Sequence, residues 1–160
     1  MIRITIIVVG KIKEKYLTDA CNEYMKRLNA FSSPSIIEIP EYRCPDNPSD
    51  ADIANVIKNE GDRILSAIPS HAAVIPMCIE GKMLSSTQLA EEINSLSVNG
   101  FSNICFIIGG SFGLDERVKS QGKIRLSMSP MTFPHMLARV MLLEQIYRSF
   151  SILKGTKYHK

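Results

Sequence analysis

Two hydrophobic periods alternate along the first hundred residues. Ile2 to Val9 is a short β-branched run closed by Gly10, the pattern of a strand. From Glu14 to Asn29, Leu17, Cys21, Tyr24 and Leu28 recur three or four apart, one face of an amphipathic helix that covers the sheet. Ser35 to Pro40 reads as a second strand, and Glu41 to Ser49, with Pro45 and Pro48, as a loop. Ser49 is placed to cap the next helix, whose buried side is marked by Ile53, Ile57, Ile64 and Ile68. Gly61 weakens the middle of that helix and Pro69 ends it. Ala72 to Ile79 is a third strand, bent at Pro76. Glu80-Gly81-Lys82 is expected to turn the chain, Ser85 or Ser86 to cap a helix through Leu96, and Asn99-Gly100 to stop it.

The rest of the chain is organised around Ile104 to Leu114. Five apolar residues, Ile104 to Ile108, are followed by three glycines within five positions, Gly109, Gly110 and Gly113. That is a buried central strand ending in a tight turn where main chain must approach something closely. In an open α/β sheet, ligands sit at the carboxyl end of such a strand. Leu114 to Ser120 reads as a short helix or an irregular turn, and Ile124 to Met128 as a fifth strand. The alternation of strands and helices predicts one α/β domain over residues 1–160 with a mostly parallel sheet and flanking helices. The last helix, Pro134 to about Phe150, is apolar over nearly its whole circumference. A helix of that kind is buried on both sides, so a homodimer is expected to cover what the sheet does not.

Composition narrows the chemistry. Residues 1–100 carry 10 Lys/Arg against 13 Asp/Glu, whereas residues 101–160 carry 9 against 3, so the glycine turn lies in the basic part. An acidic partner, nucleic acid above all, is expected on that side. No run reaches the length of a membrane helix, and the charges after Gly10 interrupt anything resembling a signal peptide, which points to a cytoplasmic protein. Cys21, Cys44, Cys78 and Cys105 form no C-x-x-C pair and read as free thiols, with Cys78 and Cys105 as small buried hydrophobes. His71, His135 and His159 lack zinc-type spacing, so no metal site is expected. The first strand leads into no G-x-G-x-x-G, and no G-x-x-x-x-G-K-[ST] loop occurs, which argues against dinucleotides and triphosphates. Together with the glycine turn, the loop Leu126 to His135 offers free main-chain polar groups among small and apolar side chains, suited to an adenosine-like ligand.

Ile107-Ile108-Gly109-Gly110-Ser111-Phe112-Gly113-Leu114, the segment Leu126 to His135, the run Glu144-Gln145-Ile146-Tyr147-Arg148-Ser149-Phe150 and the terminal Tyr158-His159-Lys160 jointly resemble the RlmH family of SPOUT-class methyltransferases. Chain length and the start Val8-Val9-Gly10-Lys11 agree with the resemblance. It implies a C-terminal deep trefoil knot, a homodimer, S-adenosyl-L-methionine as methyl donor, and N3 of a pseudouridine in the helix 69 stem-loop of 23S ribosomal RNA as acceptor. By matching positions it implies donor contacts at Met77, Gly109, Gly110, Met128, Ser129, Pro130, Met131, Thr132 and Phe133. The chain departs from the family's usual pattern at Pro76-Met77-Cys78, where Met77 fills a leucine-sized wall.

Methylation of a ring nitrogen flanked by two carbonyls must remove its proton and stabilise the resulting charge. Tyr158 and His159 are the candidates for proton transfer, and Arg148 or Arg139 for charge stabilisation. Tyr158 could instead stack on a base or pack, His135 is expected to hydrogen-bond the loop before its helix, and Arg139 could pair with a carboxylate of a second subunit. Lys154, Lys157 and Lys160 suit nonspecific phosphate contacts. Two other functions fit the same pattern: a SPOUT methyltransferase acting on tRNA, and a noncatalytic α/β module binding RNA or a nucleotide.

Overall fold

In the computed structural model, which describes residues 1–160, β1 (Arg3–Val9) lies near the middle of a five-stranded, all-parallel sheet. The remaining elements are α1 (Lys15–Leu28), β2 (Ser33–Ile39), α2 (Asp50–Ala67), β3 (Ala73–Met83), α3 (Ser86–Val98), β4 (Asn103–Ile108), α4 (Glu116–Lys119), β5 (Leu126–Ser127) and α5 (His135–Leu153). Strand order is β2-β1-β4-β3-β5, with β1 in register with β2 from Arg3↔Ser33 and with β4 from Arg3↔Asn103.

Alternate residues of the central strands feed two cores. Ile4, Ile6 and Val8 of β1, with Ile104, Phe106 and Ile108 of β4, face α1, α3 and α5. Ile7 and Val9, with Cys105 and Ile107, face α2 and α4. Every β4 residue is buried, as expected for a strand covered on both faces. One polar pair sits within the sheet, where Thr5 Oγ1 donates to Asn103 Oδ1 at 3.1 Å.

The helix starts follow the sequence reading. Ser49 and Ser85 both form capping boxes, their hydroxyls accepting from Asp52 N and Gln88 N. Other expectations give way to tertiary contacts. Glu80-Gly81-Lys82 is not a turn but part of β3, which leaves β4 after Pro76 and pairs with β5 through a register shift between Met77 and Lys82. Main chain passes so close there that a Cβ on Gly81 would lie 2.8 Å from the Arg125 carbonyl carbon. The fifth strand shrinks to Leu126–Ser127, and α5 runs three residues past Phe150. The buried stripe of α2 is Val56, Glu60, Gly61 and Ile64, displaced from the isoleucine series. Gly61 is a packing point, since a Cβ would come within 2.7 Å of Asp115 Cβ.

Helix α5 packs against α1 and α3 and buries Leu142, Leu143, Ile146 and Phe150. Leu137 near its start and Leu153 at its last residue remain partly exposed. After Lys154 the chain folds back, Thr156 N donating to Ser151 O at 3.0 Å. Tyr158 meets Tyr147 edge to face at 4.8 Å between centroids, extending an aromatic cluster that includes Tyr24, Phe31 and Phe150. No helix is long and apolar enough to cross a membrane.

Candidate active site

A cleft of about 730 Å³ opens beyond the carboxyl end of β4, beside β3 from Met77 to Glu80 and the loop after β5. Its size lies within the range of small-molecule sites. The glycine turn forms one wall. Gly113 N donates to Gly110 O at 3.1 Å, and Gly113 has φ +84°, a conformation that suits glycine. A Cβ on Gly109 would lie 2.8 Å from the Gly113 carbonyl carbon, so the turn closes on itself only because residue 109 has no side chain. The opposite wall is the loop from Met128 to Pro134, in which Met131 N donates to Ser129 Oγ and Ser127 Oγ donates to the Ser129 carbonyl.

Of the residues the family pattern points to, Met77, Gly109, Gly110, Met128, Ser129, Met131, Thr132 and Phe133 all line this cleft. Pro130, in the same loop, is not among the lining residues. Sequence reading missed Cys78, Ile79, Phe112, Lys119 and Ala138 among the lining residues. Cys78 is half-buried there instead of fully buried, and desolvation pushes its thiol up. Cys105 is buried as expected, its thiol pushed up to about 12, and all four cysteines are unpaired.

His135 lines the same cleft, yet its Nε2 is buried without a hydrogen-bond partner and the nearest carboxylate, Glu41, stands at 3.7 Å. The expected bond to the preceding loop is therefore not made through Nε2. Arg139 is also placed differently from expectation. It is 4% exposed, donates to the Gly10 carbonyl at 3.0 Å and pairs with Glu38 of its own chain at 3.2 Å. Held there, it joins the start of α5 to the ends of β1 and β2 and is removed from the candidates for charge stabilisation.

Arg148, Tyr158 and His159 come together around Glu144, but none lines the cleft. Arg148 Nε donates to Glu144 Oε1 at 2.9 Å, Tyr158 Oη donates to the same oxygen at 3.1 Å, and Arg148 Nη1 lies 3.2 Å from His159 Nδ1. The guanidinium also lies over the Tyr158 ring, 4.7 Å from its centroid. Burial, with Tyr24 and Glu144 as further causes, pushes the Tyr158 phenol up to about 12, so it stays a donor near neutral pH. Arginine can only donate, so a hydrogen bond between the two is one that His159 accepts at Nδ1. A second cavity of about 560 Å³, between α3 and α5, reaches Glu144 and shares Met77, Leu126 and Met128 with the first.

An all-parallel sheet with a partly apolar cleft beyond its central strand, walled in part by main chain, defines an α/β protein with a site of small-molecule size. Comparison with known proteins makes this specific. A family profile described as "Predicted SPOUT methyltransferase" matches residues 2–159. The ribosomal RNA large subunit methyltransferase H of Alkaliphilus oremlandii is 52% identical over 157 residues, covering 98% of this chain and 99% of that protein. Relatives in Methanococcus maripaludis and Methanococcus vannielii, provisionally given the same name, are 51% and 50% identical with the same coverage. The chain belongs to the SPOUT methyltransferases and, among them, to the family of ribosomal RNA large subunit methyltransferase H.

Proposed function

We propose that this enzyme methylates N3 of a pseudouridine in the helix 69 stem-loop of 23S ribosomal RNA, with S-adenosyl-L-methionine as methyl donor. The observation that carries the reading is the convergence of Met77, the glycine turn and the loop from Met128 to Phe133 on one cleft. Those residues fit such a donor: its adenosine suits apolar walls with free main-chain groups, and the missing Cβ at Gly109 lets backbone close around it. When bound, the donor supplies an electrophilic methyl group. Overall, one S–CH3 bond is exchanged for an N–CH3 bond, and the N3 proton is released.

Most of the rate then comes from alignment, for which proximity supplies about 7–11 kcal/mol. Arg148 keeps N–H groups beyond those it gives to Glu144, which suits holding negative charge on the ring carbonyls, whereas the Tyr158 hydroxyl is donated to Glu144 and becomes free only when that bond opens. His159 becomes a proton acceptor at Nδ1 only when Arg148 releases it. None of the three lines the cleft of its own chain, which favours a homodimer in which a second subunit completes the site. The exposed Leu137 near the start of α5 suits its interface. A C-terminal trefoil knot is part of the same reading. Its support is the path of the chain, which passes from β4 across to β5 beyond β3 and returns as α5 beneath the sheet. Lys154, Lys157 and Lys160 then meet RNA phosphates, in a cytoplasmic enzyme whose substrate is the ribosome.

The test is transfer of labelled methyl from S-adenosyl-L-methionine to ribosomes, naked large-subunit RNA and bulk tRNA side by side. Label on ribosomes, mapped to N3 of a pseudouridine, is expected. Label on tRNA alone overturns the acceptor, and failure to bind S-adenosylhomocysteine overturns the donor.

A further inference from the structure

Three large apolar side chains that stand exposed on this chain come from three separate segments and line one opening. Ile79 of β3 is 51% exposed, Phe112 in the glycine turn 37%, and Met131 in the loop before α5 73%, and all three border the cleft. Apolar groups gathered at the rim of a cavity mark a surface that something covers.

The turn itself does not call for phenylalanine. Gly110 to Gly113 is a tight turn, and the residues that favour such corners are glycine, asparagine, aspartate and serine. The Gly110–Gly113 bridge closes the short loop that carries Phe112, and that loop brings the residue to the cleft. Lys119 lines the same cavity and pairs with Glu80.

We propose that Phe112 is a positioning residue that stacks on the acceptor nucleobase, with Ile79 and Met131 as the sides of the slot; this rests on the reading of the cleft as the donor site. A methyl donor held within the cleft obliges the acceptor ring to enter from the open side, where these side chains are what it meets. A pyrimidine base has an uncharged π face, and a phenyl ring offers a matching face with no hydrogen-bonding group. Phe112 therefore sets the orientation of the base without reading its identity.

The chain contains no tryptophan, so Phe112→Trp introduces a single indole reporter at this position. Phe112→Ala and Phe112→Leu are expected to raise KM for ribosomes roughly five- to 150-fold, the range of one lost base stack. Their affinity for S-adenosylhomocysteine should stay within about twofold of the unsubstituted enzyme, a margin well below the loss of one such stack. Phe112→Trp should restore KM, and its emission should not change when S-adenosylhomocysteine binds. An unaltered KM in Phe112→Ala, full rescue by the flat-faceless Phe112→Leu, or quenching of the indole by S-adenosylhomocysteine alone would each overturn the proposal. The last of these would assign the ring to the donor. Absence of S-adenosylhomocysteine binding by the unsubstituted enzyme would instead remove the donor reading beneath it.

Discussion

Gly109→Ala tests whether the glycine turn is shaped by the close approach of its own backbone. The added methyl would sit 2.8 Å from the carbonyl carbon of Gly113, 2.9 Å from its oxygen and 3.1 Å from Leu114 Cδ2. The first two are main-chain atoms about half an ångström inside ordinary contact, so no side-chain rotation relieves them. Overpacking of this kind costs about 1–3 kcal/mol. In a chain of this size each kcal/mol corresponds to about 2–4 °C in Tm, so a loss of roughly 3–10 °C is expected. Moving the turn also moves one wall of the cleft, and affinity for S-adenosylhomocysteine should fall by about tenfold or more, the effect of roughly 1.4 kcal/mol. Gly100→Ala is the control. Its φ of +94° makes any side chain strained, but nothing lies within 4 Å of the position. It should cost about 1–2 kcal/mol and leave ligand affinity unchanged. Differential scanning fluorimetry and isothermal titration calorimetry on the two variants separate the effects. A Gly109→Ala protein with unaltered Tm and unaltered affinity would refute the reasoning, and equal loss of affinity in both variants would reduce it to global destabilisation.

The other predictions concern titration and buried charge. Tyr158 has its folded pKa raised above the usual 10, so its contribution to stability is present below pH 10 and lost as pH rises through about 12. Denaturant melts between pH 9 and 12 should show this loss, and Tyr158→Phe should remove that part of the pH dependence. Glu144→Gln weakens the acceptor shared by Arg148 and Tyr158, so the phenol should titrate below its position in the unsubstituted protein, followed by absorbance near 295 nm. Glu60 is 5% exposed and burial raises its pKa, while its Oε2 accepts from Tyr42 N at 3.0 Å. Stability from that raised pKa is present at low pH and lost as pH rises through the folded value, so Glu60→Gln should raise Tm more at pH 8 than at pH 5. Equal shifts at both pH values would show that ionisation of Glu60 is not what limits stability. Arg139→Met removes the donor to the Gly10 carbonyl and the partner of Glu38, and a loss of about 2–4 kcal/mol in denaturant melts is expected. An unchanged midpoint would mean that this partly buried ion pair contributes nothing net.

The sequence by itself determined what depends on neighbours a few residues apart. Continuous β-branched runs specify strands covered on both faces, and Ser49 and Ser85 cap their helices through partners three residues ahead, Asp52 and Gln88. The glycine turn was legible because glycine spacing reports directly on where backbone must come close. The loop from Met128 to Phe133 and the terminal run drew notice through family resemblance, and the comparisons bear out the family. Tertiary structure decided everything set by distant partners. Glu80-Gly81-Lys82 carries turn-forming residues, yet Leu126, more than forty positions later, supplies a strand for it to pair with. Arg139 reads as a free cation on a basic stretch until Glu38, 101 residues away, and the Gly10 carbonyl claim it. Gly61 reads as a weak point in a helix until Asp115 is packed against it. The strand order β2-β1-β4-β3-β5 brings the middle of β3, the end of β4 and the loop after β5 together into one cleft and leaves Arg148, Tyr158 and His159 outside it. Local propensity acts over a turn or two of chain, whereas a site at a sheet edge is assembled by pairings that only the folded topology supplies.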